Sequence, residues 1–322
     1  MTPRRLLLAG LASPAFAQAR RDKVTLSWLP IMQTMAFYVA QEEKLFEAAG
    51  IEVEAARFQA PNQIIDSLVA NRAEVGAPGA AAGISVLAEA QFPGTFKVFG
   101  LQGGGVAVNR INDGLIVANN ATIRGFADLR GKTLGHLPGI QWRTISRHMV
   151  RRAGLNPDGD VRLVELAVGL QVQAVIAGTV DATLSLEPVG SIAVALGEAK
   201  RAVTNPVAGV IADPFYSGCS LLTTKFIRER PAVAKRVVEV LDEATRLAEN
   251  QYARLRAILP RWTAVAANQV EVVAQPYLRA WRDLNETDLN SYQALVDVFA
   301  AEGVLRTPMR VRDIILKPGD LA

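Results

Sequence analysis

The sequence predicts a mixed α/β fold in which two similar lobes are joined by two hinge crossovers. Three observations lead to this prediction. Short apolar strands alternate with amphipathic helices in residues 24–79. The same order of elements returns in residues 132–184, and further short apolar strands lie between and after the two repeats. The chain has 322 residues, half of them hydrophobic, which is long enough for two hydrophobic cores.

The first repeat has the order strand, helix, strand, helix, strand. Its first helix carries apolar residues at helical spacing, among them Phe37, Ala40 and Leu45, and Gly50 is expected to end it. Parallel strands in this order place their carboxyl ends, and the loops that follow, on one edge of a sheet. The predicted strands are residues 24–28, 51–58 and 74–77, and the predicted helices are residues 37–49 and 62–70.

The second repeat follows the same pattern, and the chain crosses between the repeats twice. Crossovers of this kind let the carboxyl edges of both sheets face one cleft, where open α/β proteins bind small ligands. Strands are predicted at residues 132–135, 161–166 and 180–184, helices at 141–153 and 172–177, and crossover strands at 96–101, 115–118 and 218–223. The tail is predicted to add helices at residues 233–249, 268–274 and 287–301.

The start of the chain reads as an export signal. Arg4 and Arg5 precede an apolar run, and small residues suited to a signal peptidase follow at Ala15 and Ala17. No cysteine lies near the cleavage site, and no later stretch of 18 apolar residues predicts a membrane span. We therefore expect an exported, soluble protein without a lipid anchor; the Sec and twin-arginine routes both stay open. The expected division is a signal peptide at residues 1–19, a first lobe from residues 20–113 and 213–322, and a second lobe from residues 114–212.

Charge and composition exclude several classes of function. The net charge of +4 is small and dispersed, so no nucleic-acid partner is expected. His136 and His148 lack cysteine or carboxylate neighbours at metal-ligand spacing, and the sequence contains neither a nucleophile elbow nor a phosphate loop. The only cysteine, Cys219, falls in an apolar strand and is expected in the core. We expect no catalytic residue, no metal and no cofactor.

Several segments, in the same order, carry a resemblance to a known family. The sequence resembles the solute-binding proteins of ABC importers for nitrate, sulfonates, taurine and thiamine precursors. That resemblance implies a type II periplasmic binding protein that closes on a small solute and delivers it to a membrane permease, and we expect a monomer. The segments are Trp28-Leu29-Pro30, Phe37-Tyr38-Val39-Ala40, Leu45-Phe46-Glu47-Ala48-Ala49-Gly50-Ile51-Glu52-Val53, Asn71-Arg72-Ala73-Glu74-Val75-Gly76, Asp128-Leu129-Arg130-Gly131-Lys132, Ala177-Gly178-Thr179-Val180-Asp181-Ala182 and Glu187-Pro188.

The resemblance leaves the solute and one other class of function open. The thiamine-precursor branch typically has Asn and His in the loop after the first strand, where this chain has Ile31 and Thr34, so a pyrimidine ligand is disfavoured. The alternative is an enzyme on the same fold, such as a pyrimidine synthase or a menaquinone-pathway dehydratase. The export signal favours a binding protein, because those enzymes act inside cells.

The candidate ligand-binding residues lie at strand ends and helix starts. Side chains and backbone N–H groups at these places hydrogen-bond polar or anionic solutes, although each residue also has a purely structural interpretation as a cap, a turn or a core residue. The candidates are Trp28, Gln33, Thr34, Pro78, Gly79, Ala80, Gly139, Gln141, Trp142, Arg143, Thr144, Glu187 and Tyr216.

Two of these candidates are charged. Arg143, at the start of a predicted helix, is expected to grip a carboxylate or sulfonate, which favours a small anionic or aromatic solute. The spacing of Arg143, Arg147 and Arg151 also fits an exposed helix face. Glu187 is expected to accept a hydrogen bond from the solute or to form a salt bridge near the hinge.

Overall fold

The computed structural model describes residues 21–322 and contains two sheets. The predicted signal peptide at residues 1–19 lies outside the described residues. The first sheet has six strands in the order β11-β4-β10-β3-β1-β2, and the second has five in the order β7-β6-β8-β5-β9. The strands are β1 (Asp22–Trp28), β2 (Ile51–Arg57), β3 (Val75–Ala81), β4 (Phe96–Gly104), β5 (Asp113–Val117), β6 (Lys132–His136), β7 (Val161–Glu165), β8 (Ala182–Leu186), β9 (Lys200–Thr204), β10 (Phe215–Thr223) and β11 (Tyr277–Ala280).

Helices cover both sheets. The longest, α9, spans Pro231–Asn250 and packs against α1 and β11 in the first lobe. The α-helices are α1 (Met35–Glu42), α2 (Leu45–Ala48), α3 (Pro61–Val69), α4 (Ala82–Gln91), α5 (Ile140–Arg152), α6 (Gln171–Ile176), α7 (Val189–Ala195), α8 (Thr224–Glu229), α9, α10 (Tyr252–Leu255), α11 (Leu259–Trp262), α12 (Glu286–Ala301) and α13 (Val311–Ile314).

The chain passes between the sheets twice. It leaves the first sheet after β4 and enters the second at β5, then leaves β9 and returns at β10, which pairs antiparallel with both β3 and β4. Strands β1, β2 and β3 run parallel, as do β6, β7 and β8. Each lobe therefore has one edge where parallel strands end, as the repeated pattern in the sequence predicts. The predicted two-lobe α/β fold is confirmed.

The hydrophobic core does not separate along the lobes. One cluster of buried residues contains Phe96 and Phe299 of the first lobe together with Leu134, Trp142 and Ile145 of the second. Apolar side chains from both lobes thus exclude water in one continuous interior. A second cluster fills the other face of the first sheet, beneath α1 and α9.

Three predicted elements need correction. The predicted helix at residues 37–49 is two helices, because Lys44 adopts a left-handed conformation (φ 56°) that ends α1 and starts α2. The segment predicted as a loop at residues 78–81 belongs to β3 and is fully buried. The predicted tail helix at 268–274 is a 3₁₀ helix at Ala267–Val272. Among residues 21–322, no helix is both long and apolar enough to cross a membrane.

Candidate functional site

A cavity of about 190 Å³ lies between the lobes, where parallel strands of both sheets end. The first lobe contributes the loops after β1 and β2, and the second contributes the loops after β6, β7 and β8. This is the edge at which open α/β sheets bind ligands. The lining residues are Leu29, Pro30, Ile31, Arg57, Gln59, Pro61, Leu137, Ala167, Val168, Gly169, Leu186, Pro188, Val189 and Ala264.

The lining is apolar except for two side chains, Arg57 and Gln59. Arg57 is the last residue of β2, and its guanidinium carbon lies 5.6 Å from the centre of the Trp28 ring. Within residues 21–322, Arg57 forms no ion pair with a carboxylate, although most other arginines do. Arg57 is itself exposed to solvent, and it differs from Arg143 in lining the cavity and in having no carboxylate partner among the described residues. An apolar cavity with such a cation suits a small solute that has an apolar body and an anionic group.

Gln33 and Thr34 are buried beside the hinge. The Gln33 amide nitrogen donates to Asn112 Oδ1 (2.7 Å) and to Ser217 Oγ (2.8 Å), which ties the loop after β1 to both crossings. The Thr34 hydroxyl has no hydrogen-bond partner among the described residues and lies close to Gly79. The Gln33 side chain therefore bonds to other segments and does not cap a helix, and its predicted contact with a solute stays a prediction.

Gln141 connects the two lobes directly. Its amide oxygen accepts from the Gly83 N–H (2.7 Å) at the start of α4, and its amide nitrogen donates to the Ser217 carbonyl (2.8 Å) in β10. Gly139, just before α5, has a φ of 98°, a conformation that glycine adopts without strain. The polar atoms of Gln141 are thus satisfied by the protein itself.

The other candidates at the start of α5 also have partners within the protein. Arg143 is 56% exposed at its side chain and forms an ion pair with Glu165 (2.7 Å); it does not line the cavity. The Thr144 hydroxyl donates to the Ile140 carbonyl one turn earlier (2.7 Å). Trp142 is a buried core residue. The charged side chain that lines the cavity is therefore Arg57, whereas Arg143 lies on an exposed helix face.

Glu187 is buried in the second lobe rather than facing the cavity. Its carboxylate pairs with Arg201 and accepts from the Ser191 N–H (3.1 Å), so the salt-bridge interpretation describes it. Burial raises the pKa of Glu187 while Arg201 lowers it. Its neighbours Leu186 and Pro188 do line the cavity.

The remaining candidates are core residues. Trp28 packs with Phe37, Tyr38 and Trp262 in the cluster beneath α1, so it does not form a wall of the cavity. Tyr216 is buried and donates its hydroxyl proton to Asp288 (2.6 Å) within the first lobe, and it does not line the cavity. Pro78, Gly79 and Ala80 lie inside β3, where the Gly79 N–H donates to the Gln102 side chain (2.9 Å).

The family model described as NMT1/THI5 like matches residues 31–252 of this chain. That stretch is more than half of the 322 residues and includes the cavity residues Arg57, Leu137 and Pro188. The chain belongs to the NMT1/THI5-like family. No curated protein matches the chain by sequence.

Solved structures of periplasmic binding proteins share the fold of this NMT1/THI5-like chain. The aliphatic sulphonate binding protein of Escherichia coli is 17% identical over 92% of both chains, with a TM-score of 0.72. The alkanesulfonate-binding protein of Xanthomonas axonopodis pv. citri, bound to MOPS, is 18% identical over 92% of this chain and 99% of that one, with a TM-score of 0.73. The nitrate-binding protein of Synechocystis PCC 6803 is 14% identical over 94% and 87%, with a TM-score of 0.73.

An enzyme has the same architecture. The desulfurization enzyme DSZB is 18% identical over 94% of this chain and 98% of that one, with a TM-score of 0.69. These similarities establish the fold, and function has to be argued from the site. The resemblance to importer-type binding proteins that the sequence motifs carry is confirmed by the family and by the fold.

None of the candidate residues chosen from the sequence lines the cavity of this NMT1/THI5-like protein. Arg57 and Gln59 follow β2, and Ala167, Val168 and Gly169 follow β7. The signal was present, because the carboxyl ends of β2 and β7 were expected at the same edges as those of β1 and β6. Arg57 was not chosen as a candidate because it falls inside the predicted strand at residues 51–58 and not in the loop after it.

Proposed function

We propose that this chain is the exported solute-binding protein of an ABC importer. Its cleft would capture a small organic solute with an apolar body and an anionic group, and the closed protein would deliver that solute to a membrane permease. The observation that carries the proposal is the interlobe cavity: among the residues that the structure describes, Arg57 is the only charged side chain of a lining that is otherwise nearly all apolar. Its volume of about 190 Å³ suits a small solute, since clefts for drug-sized ligands have about 300–1,000 Å³.

The family and the fold support the same proposal. Proteins of this fold include binders of sulfonates and of nitrate, which are small anions. We infer a periplasmic, soluble monomer with no nucleic-acid partner and no cofactor. We also infer lobe boundaries near residues 113 and 213, since β5 begins at Asp113 and β10 at Phe215.

We infer that the chain binds its solute without converting it. The enzyme DSZB has the same fold, so the fold alone does not exclude an enzyme. Against a thiol mechanism, Cys219 is fully buried in β10, and burial raises the pKa of its thiol to about 12, so the thiolate is scarce at neutral pH. Native mass spectrometry of the freshly purified protein would identify a co-purified solute. Recovery of that solute chemically unchanged after prolonged incubation is the expected result, and its conversion would establish an enzyme.

The role of Arg57 is tested by calorimetry with the co-purified solute, with MOPS and with nitrate. Arg57→Ala should weaken binding of the anion that binds best by about 1 to 3 kcal/mol, because a charge-assisted bond is lost in a site that closes around the solute. Arg143→Ala is the matched control and should cost less than about 0.5 kcal/mol, since its ion pair with Glu165 is exposed. The reverse ranking would restore Arg143 as the anion ligand.

A further inference from the structure

Helix α5 of the second lobe contacts the first lobe at both of its ends. At its start, Gln141 is 1% exposed and bonds to Gly83 and to Ser217. Gly83 is the second residue of α4, and the first four N–H groups of a helix have no acceptor within that helix. The amide of Gln141 therefore supplies, from the other lobe, a hydrogen bond that α4 cannot make for itself.

The second partner of Gln141, the Ser217 carbonyl of β10, also lies where the first lobe offers no partner of its own. The pairing of β10 with β4 shifts register between Tyr216 and Gly218, so Ser217 is the bulged residue of that strand. A bulge leaves one residue without a ladder partner. The Ser217 carbonyl is consequently available to the Gln141 amide, and closing the lobes satisfies two backbone groups of the first lobe at once.

The other end of α5 forms an ionic contact. Glu302, directly after α12 in the first lobe, has a side chain that is only 4% exposed, and it accepts from Arg151 and from His148 Nδ1 (3.2 Å) of α5. A buried carboxylate is unfavourable without a partner. Between the two ends, Trp142, Ile145 and Met149 of α5 belong to the same apolar cluster as Phe299 of α12.

All of these contacts join protein groups of the two lobes. We propose that α5 is a clasp that holds the two lobes closed in the absence of solute, through Gln141 at one end and Glu302 at the other. The cleft must then open against the clasp before a solute enters. This inference rests on the proposed function only in taking the cleft as the solute site; the clasp itself consists of contacts between protein groups.

Solute-free protein gives a direct test. Wild type, Gln141→Ala and Glu302→Gln are unfolded in denaturant, dialysed to remove co-purified solute and refolded, and their radii of gyration are measured by small-angle scattering. The wild type should match the radius calculated for the closed structure, and both variants should be larger. The control is Arg147→Ala, which removes an exposed α5 arginine that pairs with Asp158 of its own lobe, and it should keep the wild-type radius.

Amide hydrogen exchange at Gly83 separates the clasp from a general loss of stability. In the solute-free wild type the Gly83 N–H should be protected, and in Gln141→Ala it should exchange about tenfold faster or more, because one hydrogen bond is its whole protection. Amides in the middle of α4 should be unchanged in that variant. In Glu302→Gln, Gly83 should also exchange faster although Gln141 is intact.

Two outcomes would overturn the clasp. The first is a solute-free wild type with an open radius and an unprotected Gly83 amide. The second is a set of variants as compact as the wild type with Gly83 still protected. Both outcomes leave solute binding at Arg57 untouched, so they do not bear on the proposed function.

Discussion

Asp113 is a fully buried carboxyl group at the first residue of β5, next to the first crossing. It accepts hydrogen bonds from the Asn112 side chain (2.9 Å) and from the Val207 N–H (3.3 Å). Burial raises its pKa to about 6, although those two bonds and Arg201 lower it; Glu187 adds to the rise. A protonated Asp113 is thus favoured by the folded protein at mildly acidic pH.

This raised pKa predicts how stability depends on pH. Between its ordinary value of 3.8 and about 6, the folded state binds more protons at Asp113 than the unfolded state does. The contribution of Asp113 to the free energy of unfolding is therefore fully present below pH 3.8 and is lost as the pH rises through about 6. The expected loss is about 2 kcal/mol between pH 4 and pH 7.

Asp113→Asn isolates this effect, because the variant keeps the shape of the side chain and does not titrate. Urea unfolding of both proteins at pH 4, 5, 6 and 7 gives the difference between their free energies of unfolding. We expect the wild type to lose stability relative to the variant as the pH rises. Glu187 titrates in both proteins and is largely removed by the subtraction. A difference that stays constant from pH 4 to 7 would contradict the raised pKa.

The candidate binding residues show that the sequence predicted where a polar side chain lies but not which groups it contacts. Gln141, Glu187 and Tyr216 were recognised as polar residues at strand or helix ends, and they do lie there. Their partners are Gly83, Arg201 and Asp288, which come from distant segments. Because tertiary contacts decide whether a polar group is free for a solute, local pattern could place these side chains and could not assign their partners.

Helix α12 begins at a node of hydrogen bonds centred on Asp288. The Asn285 side chain accepts from the Asp288 N–H (3.1 Å), and Asp288 accepts in return from the Asn285 N–H (2.9 Å). The same carboxylate accepts from Tyr216 of β10 and from Arg279 of β11 (3.0 Å). One side chain thus caps a helix and fastens it to two strands of the first sheet.

Two substitutions at this node should lower the free energy of unfolding by different amounts. Asn285→Ala removes one cap bond and should lower the free energy of unfolding by about 1 kcal/mol. Asp288→Ala also leaves the Tyr216 hydroxyl and the Arg279 guanidinium without their acceptor, so we expect about 3 kcal/mol or more. Urea unfolding of both variants at neutral pH measures the ratio. Equal losses would mean that the bonds to Tyr216 and Arg279 add nothing to the cap.

At the level of elements, periodicity predicted most helices and strands and failed where a partner segment decides the structure. Residues 78–81 carry Pro78 and Gly79, which favour a turn, yet they continue β3. The pairing of β3 with β10 shifts between Gly76 and Ala80, and β1 pairs only with Val75 and Gly76 of this strand, so Pro78 has no ladder position that requires an N–H. Pro78 fits into β3 because of the way β10 pairs with that strand, and β10 (Phe215–Thr223) lies far from Pro78 in the sequence.

Over the whole molecule, the apolar cluster that contains Phe96, Leu134 and Phe299 joins the lobes. Two lobes with separate cores would unfold separately, whereas a shared interior couples them. Scanning calorimetry of the solute-free protein should show one transition whose calorimetric enthalpy equals its van't Hoff enthalpy. Gln141→Ala should widen or divide that transition, since it loosens the contact between lobes. Two resolved transitions in the wild type would show that the shared cluster does not couple the lobes.

The position of β10 has a consequence for the order in which the protein is made. Strand β10 lies in the middle of the first sheet, between β3 and β4, but its residues, Phe215–Thr223, follow the entire second sheet in sequence. A nascent chain that ends before Phe215 therefore has β4 without either of its neighbours, because β11 comes later still. The first lobe cannot complete its sheet on the ribosome until two thirds of the chain has been synthesised, so this sheet forms late and through pairings between residues that are far apart in sequence.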